Sequence, residues 1–444
     1  MLQINISDRF LEEKKYIIRV LFDVFLGLEY KINISASNQN YYEIILPNKK
    51  RLLFEDYFWE KLNDIYLKKE YIPQSIKFAK NDYLCEQDIP VIYGNNRLEV
   101  TIDGIICGID IFASSFFMLT RWEEYINKTR DQYNRFPATA SLAYKNGFLG
   151  RPIVNELVEM LWNMLKHLGY QKQRKQHKFE MLLTHDVDFP FKYSNWMSGT
   201  RYICKNFLIR HNLKHAVESL LTKIKSHIDY KRDPYNTFSF LMDESEKLGL
   251  KSHFFFMGGG VTEFDGNYNL QSKRIQALAE EIQTRGHVIG FHPSYLAYNT
   301  PKLWKEEKEN LEKCLNLDVK KGREHYLRFE APYTWQIWED NNMEWDSSLA
   351  YADKIGFRCG TCLEYPVFNF LTKQQLNLKE KPLIVMDTSL FHYQTEMIPD
   401  SIKNKITVLI NKCKQYNGTF VYLWHNSNFI IDERKNIFLE TINL

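Results

Sequence analysis

From about residue 178 to the C-terminus, short apolar runs alternate with helical stretches. No other feature of the chain constrains its fold as much. The runs are FEMLLTHDVD, SHFFFMG, HVIGFH, YLRFEAP, EWDSSLAY, LIVMDTS and TFVYLWH, and KRIQALAEEIQTRG and WKEEKENLEKCLN between them have helical period. Strand–helix alternation calls for a parallel sheet covered by helices. About seven strands suggest a deformed, closed or nearly closed (β/α) barrel. In such folds the chemistry sits beyond the C-terminal ends of the strands.

The chain has 444 residues, long enough for two domains. Ahead of the barrel, EKKYIIRVLFDVFLGL has helical period, YYEIILP and RLEVTIDG have strand character, and IFASSFFMLTRWEEYIN reads as an amphipathic helix. A further helix, RPIVNELVEMLWNMLKHLGY, places Ile153, Leu157, Leu161 and Leu165 on one face. The polar run from Gln171 to Lys178 follows it. The expected organisation is therefore a smaller α+β domain over residues 1–175 and an α/β domain over residues 176–444.

Hydrophobic residues make up 44% of the chain and charged residues 25%, values of a folded globular protein. Aromatics reach 15%, which reads first as a large aromatic core, the alternative being that some rings face a sugar-binding groove. A net charge of +3 gives no argument for nucleic acid. No run of 18 apolar residues exists, so no spanning helix is expected. The N-terminal MLQINISDRFLEEKKY lacks the apolar stretch of a signal peptide, and a cytoplasmic location is expected. The seven cysteines are odd in number and scattered, which suits reduced thiols.

The strand-end rule sorts the reactive residues. In Thr184-His185-Asp186-Val187-Asp188, two carboxylates two residues apart on a strand point to one side. Such a pair repels, so a metal or a proton neutralises one member. The same residues also suit a turn with a capping Asp before Pro190. His287 opens the next-but-one strand and His292 closes it, roughly 16 Å apart. His292 lies at the reactive end, whereas His287 and His253 lie at the opposite end. His425 ends TFVYLWH and is a candidate general acid. Asp346 and Asp387 lie near strand ends, either to orient a histidine or to cap. Cys359-Gly360-Thr361-Cys362 is half a zinc site without a second pair. Gly258-Gly259-Gly260 lacks the Lys-Ser/Thr of a phosphate loop. The segment from Phe191 to Leu250 carries Lys205, Arg210, Lys214, Lys223, Lys225, Lys231 and Arg232. It reads as a solvated helix face, or as a surface for an anionic glycan or a membrane.

These residues, in this order, resemble the polysaccharide deacetylase family, carbohydrate esterase family four. THDVD resembles its first motif, which implies Asp186 as base and Asp188 as a metal ligand. Its H-S/T-x-x-H motif begins at His292, and Leu423-Trp424-His425 matches its Leu-x-His. Glu330-Ala331-Pro332-Tyr333 echoes its Arg-x-Pro-Tyr, with Arg328 two places early. With GFRCGTC and LWHN, the pattern is most similar to a bacterial branch that carries its own N-terminal domain. RWEEYINKTRDQYNRFPA and GRPIVNE resemble that domain. Two positions depart: Leu296 stands where the second histidine ligand belongs, and Glu330 where the arginine belongs.

The resemblance implies a divalent metal, zinc by expectation, on Asp188 and His292, with a third protein ligand not identified; Asn299, Asp387 and His392 are possible. It implies hydrolysis of an N-acetyl group on a sugar or surface-polysaccharide precursor. Asp186 and His425 would be the catalytic pair, and Arg328, Tyr333, Trp335, Arg358 and Trp424 would contact substrate. The alternatives are an inactive deacetylase-fold protein that binds glycan or a partner enzyme, another metal amidohydrolase, and a two-carboxylate glycosidase using Asp186 and Glu330.

Overall fold

The computed structural model describes residues 1–35, 40–62, 65–193, 213–266, 268–393 and 398–444. The chain divides into two compact units. The first comprises Met1–Glu180, Leu327–Ile384 and Asn411–Phe420, and the second Met181–Tyr326, Val385–Ile410 and Val421–Leu444. The first unit thus takes in residues 327–384 and 411–420, which the sequence reading assigned to the barrel.

The first unit is built on a six-stranded mixed sheet. Its spatial order is Tyr30–Ser35, Leu2–Ser7, Tyr41–Ile45, Arg51–Glu55, Gly104–Ile109 and Gly94–Val100. The expected strand and turn in RLEVTIDG are present, with Thr101 N–H donating to Gly104 C=O at 2.8 Å. The stretch from Ile111, expected as one amphipathic helix, forms two helices, Ile111–Thr120 and Trp122–Ile126, and every residue of the first is buried, so it has no solvent face. Arg121, in the left-handed region at φ 55°, divides them. Helix Ile153–His167 buries Ile153, Leu157, Leu161 and Leu165. Strands Tyr365–Asn369 and Gln374–Glu380 pair antiparallel in the same unit.

The second unit holds Asp186, Asp188, His292 and His425, the expected site residues. Lys321–Gly322, Val288–His292, His253–Met257 and Glu180–Val187 run side by side in parallel, followed in spatial order by Thr419–Leu423 and Leu383–Met386. Phe254, Phe255 and Phe256 are fully buried, as expected of a strand covered on both faces. Each such ring contributes roughly 1.5–3 kcal/mol.

Between Glu180 and Leu423 the described residues form nine strands, against about seven expected. YLRFEAP is not a strand: Tyr326 (φ 60°) and Leu327 (φ 55°) adopt the left-handed region, which breaks extension. EWDSSLAY keeps only Trp345–Asp346. Lys321–Gly322, Tyr365–Asn369 and Gln374–Glu380 were not foreseen. In the segment after Phe191, helices Leu213–Ile228 and Phe238–Lys247 are present. Lys205 and Arg210 lie outside the described residues.

Candidate metal centre

Neighbouring strands of the second unit each deliver a polar group just at or beyond their C-terminal ends. Glu180–Val187 delivers Asp186 and Asp188, and Val288–His292 ends on His292. The two-residue strand Lys321–Gly322 leads directly into Arg323 and His325. Thr419–Leu423 leads into His425, and Leu383–Met386 into Asp387. Strand alternation sends His185 to the opposite side from Asp186. There its Nδ1 meets Trp424 C=O at 2.7 Å, and burial pushes its pKa down to about 4.

Three imidazoles converge on Asp188. His292 Nε2 lies 3.2 Å and His325 Nε2 3.6 Å from Oδ1, while His425 Nε2 lies 3.5 Å from Oδ2. In each ring the other nitrogen is anchored to an acceptor. His292 Nδ1 donates to Arg323 C=O at 2.6 Å, His325 Nδ1 to Asp265 Oδ1 at 3.1 Å, and His425 Nδ1 to Asp387 Oδ1 at 2.7 Å. Because a carbonyl or carboxylate oxygen only accepts, these bonds fix the proton on Nδ1 and present Nε2 inward. Anchoring of this kind orients histidine ligands in metal sites. Burial alone would raise the Asp188 carboxyl, but His325, His292 and His425 outweigh it and hold it well below the usual carboxylate range. Burial opposes charge on His292, yet Asp186 and Asp188 hold that ring above its ordinary value.

Asp188, His292 and His325 offer ligand atoms that all lie within 4.8 Å of one another. Asp188 Oδ1 is buried, and its polar neighbours are His292 Nε2 at 3.2 Å and His325 Nε2 at 3.6 Å; with both rings' protons held on Nδ1, the three atoms face one another as acceptors, which suits a bound cation. Two histidines and one carboxylate match the three-ligand set of a catalytic divalent-metal site. The donor set therefore fits a cation.

His325, which the sequence reading did not single out, is the residue that joins Asp188 and His292 in this cluster. The three residues considered for that place do not join the cluster. Asn299 is exposed on the turn Ala297–Asn299, His392 follows helix Asp387–Phe391, and Asp387 bonds His425 instead. Likewise Arg323, rather than Arg328, meets Asp186: Nη1 donates to Oδ1 at 2.8 Å, and Nη2 to Thr184 Oγ1 at 3.0 Å. Neither His325 nor Arg323 follows an apolar run long enough to read as a strand. Their signal in sequence is only the pair of basic residues two apart in GREHY.

The loop after His253–Met257 explains the glycine triplet. Gly260 sits at φ 122°, and a Cβ there would come 2.6 Å from Asp265 Cβ. A Cβ on Gly266 would fall 1.4 Å from Asp188 O. The loop thus presses onto the segment that carries Asp188 and brings Asp265 to His325. Asp265 also accepts from Tyr295 N–H at 2.8 Å and from Thr262 Oγ1 at 2.7 Å. Burial would raise its carboxyl, but His325 and these donors hold it at about 2. Asp265→Asn is expected to weaken metal binding by ~10–100-fold, checked by competitive zinc titration; unchanged affinity would mean that the carboxylate does not orient His325.

On the other side of Asp188, Asp387 accepts from the His425 backbone N–H and from Asn428 Nδ2, each at 2.7 Å, and Arg434 Nη1 donates to Asn428 Oδ1 at 2.5 Å. Burial opposes charge on His425, yet Asp387, with Asp188 and Asp186, lifts its pKa to about 10.

Of the expected substrate contacts, Trp424 has no exposed surface and packs on Phe391, Tyr422, Phe429 and Phe438. Trp335 is equally enclosed, its Nε1 donating to Glu380 at 3.1 Å. Arg358 is buried, its Nε donating to Glu124 at 2.9 Å. These three side chains are packing and pairing residues with no face to offer a ligand. Arg328 is buried and Tyr333 is 46% exposed, both in the first unit.

A family described as being of unknown function, DUF7033, matches residues 2–170. No curated protein matches the chain. Among solved structures it is similar to a Mycobacterium smegmatis protein assigned as a polysaccharide deacetylase, with 14% identity, 62% of this chain and 85% of that chain covered, and a TM-score of 0.39. It is also similar to the polysaccharide deacetylase Bc1974 of Bacillus cereus, with 13% identity, 60% and 88% covered, and a TM-score of 0.29. A third is a CE4 family pseudoenzyme from Bacillus anthracis, with 11% identity, a TM-score of 0.29, and 60% of this chain covered. The chain spans 61% of that pseudoenzyme's length.

Proposed function

We propose that this protein is a metal-dependent N-deacetylase acting on an acetylated sugar. The observation that carries the reading is the convergence of three Nδ1-anchored imidazoles on Asp188, whose buried Oδ1 faces His292 Nε2 and His325 Nε2. Asp188, His292 and His325 would hold the cation, zinc being the first candidate for such a set. When bound, a divalent cation polarises a carbonyl oxygen and acidifies water.

The remaining residues divide the proton work. Asp186 Oδ1 is held by Arg323, while Oδ2 turns toward His292 Nε2 at 3.8 Å. On this reading Asp186 accepts a proton from water as the water oxygen bonds the acetyl carbon. His425, kept protonated by Asp387, donates to the amide nitrogen as the C–N bond breaks. The products are acetate and a free amine. The sequence resemblance and the two-carboxylate, three-histidine set both support this chemistry. The test is acetate release from N-acetylglucosamine oligomers by zinc-loaded protein. Absence of release from these and from other N-acetylated sugars would leave the binding-module reading in its place.

A further inference from the structure

Helix Leu213–Ile228 is turned inside out. Its apolar residues Val217, Leu220, Leu221, Ile224 and Ile228 recur at the spacing of one helical face. That face points outward, with exposures of 49%, 45%, 51%, 39% and 82%. Among the side chains described in this helix, the buried ones are polar: Lys223 is 2% and Ser226 0% exposed. Ser226 Oγ donates to Thr222 C=O at 2.8 Å. A soluble surface helix has the reverse arrangement, and exposed apolar stripes of this kind mark interaction sites.

The charges beside the stripe select the partner. Lys214 and Lys225 are exposed, and by helical spacing they lie along one border of the stripe. Lys231 and Arg232, both exposed, follow its C-terminal end. Glu218 and Asp229 are the only acidic residues from Leu213 to Arg232. A second copy packed antiparallel, stripe to stripe, would bring the two lysine borders together, which is unfavourable. An anionic lipid surface meets both requirements, since acyl chains accept the apolar stripe and headgroups accept the lysines. No helix among the described residues is long and apolar enough to cross a membrane, so the contact is one of lying on the surface. We infer that helix Leu213–Ile228 docks the protein onto anionic membrane surfaces.

The test is co-sedimentation of the full chain with vesicles of phosphatidylcholine alone and of phosphatidylcholine with phosphatidylglycerol. Wild type should bind the anionic vesicles at least tenfold better, and should be released by high salt. Leu221→Glu with Ile228→Glu should lose binding at least tenfold, and Lys214→Glu with Lys225→Glu should lose the preference for anionic lipid. These side chains are exposed, so unchanged circular dichroism and zinc affinity are expected in both variants. Failure of wild type to bind anionic vesicles would overturn the inference. So would a dimer in light scattering that the Leu221→Glu, Ile228→Glu variant abolishes, since the stripe would then belong to a second copy.

Discussion

Asp186→Asn is expected to lower acetate release by ~10²–10⁴-fold, the usual contribution of a general base. Zinc should remain bound, because Asp186 is not one of the three clustered ligands. Asparagine keeps an oxygen for the Arg323 guanidinium, so the strand end should hold its geometry, and it removes the capacity to take a proton. Steady-state kinetics with metal analysis on the same preparation checks both halves. Turnover within threefold of wild type would remove Asp186 from the proton path; loss of zinc would make it a ligand. His425 acts on the leaving nitrogen rather than on water, so His425→Gln should also retain zinc while losing turnover.

Arg323→Met is expected to destabilise the protein by about 3–5 kcal/mol. Arg323 is 0% exposed, and its guanidinium bonds Asp186 and Thr184 and lies 5.1 Å from the Phe255 ring centroid. Methionine preserves much of the volume but leaves the buried Asp186 carboxylate without its cation. Restoring an uncharged partner should recover most of the loss, so the double variant Arg323→Met, Asp186→Asn is expected to be more stable than Arg323→Met alone. Urea unfolding of the three variants measures this coupling. A loss below 1 kcal/mol in the single variant would show that water or a rearranged neighbour neutralises Asp186.

What was legible in the sequence follows from how each residue is presented. Asp186, Asp188, His292 and His425 sit at or just past the ends of apolar runs five to eight residues long, and period-two alternation says which side each faces. His325 and Arg323 follow a strand of two residues, too short to leave a pattern. In the sequence the third ligand is therefore open, with Asn299, Asp387 and His392 possible and nothing marking His325. YLRFEAP has strand composition, yet Tyr326 and Leu327 take left-handed angles, a choice made by tertiary packing that composition does not encode. Trp335 and Arg358 read as ligand contacts because their partners, Glu380 and Glu124, are 45 and 234 residues away. The inverted helix was visible as a basic segment, but only burial shows that its polar side faces inward.

On the proposed reading, His325 completes a metal site with Asp188 and His292. Zinc titration of the purified chain beside Asp188→Ala, His292→Ala, His325→Ala and His392→Ala tests it directly. About one ion per chain is expected in wild type and His392→Ala, with binding lost in the other three. Wild-type affinity in His325→Ala, or no binding of zinc, cobalt or manganese at micromolar concentration by wild type, would contradict the account.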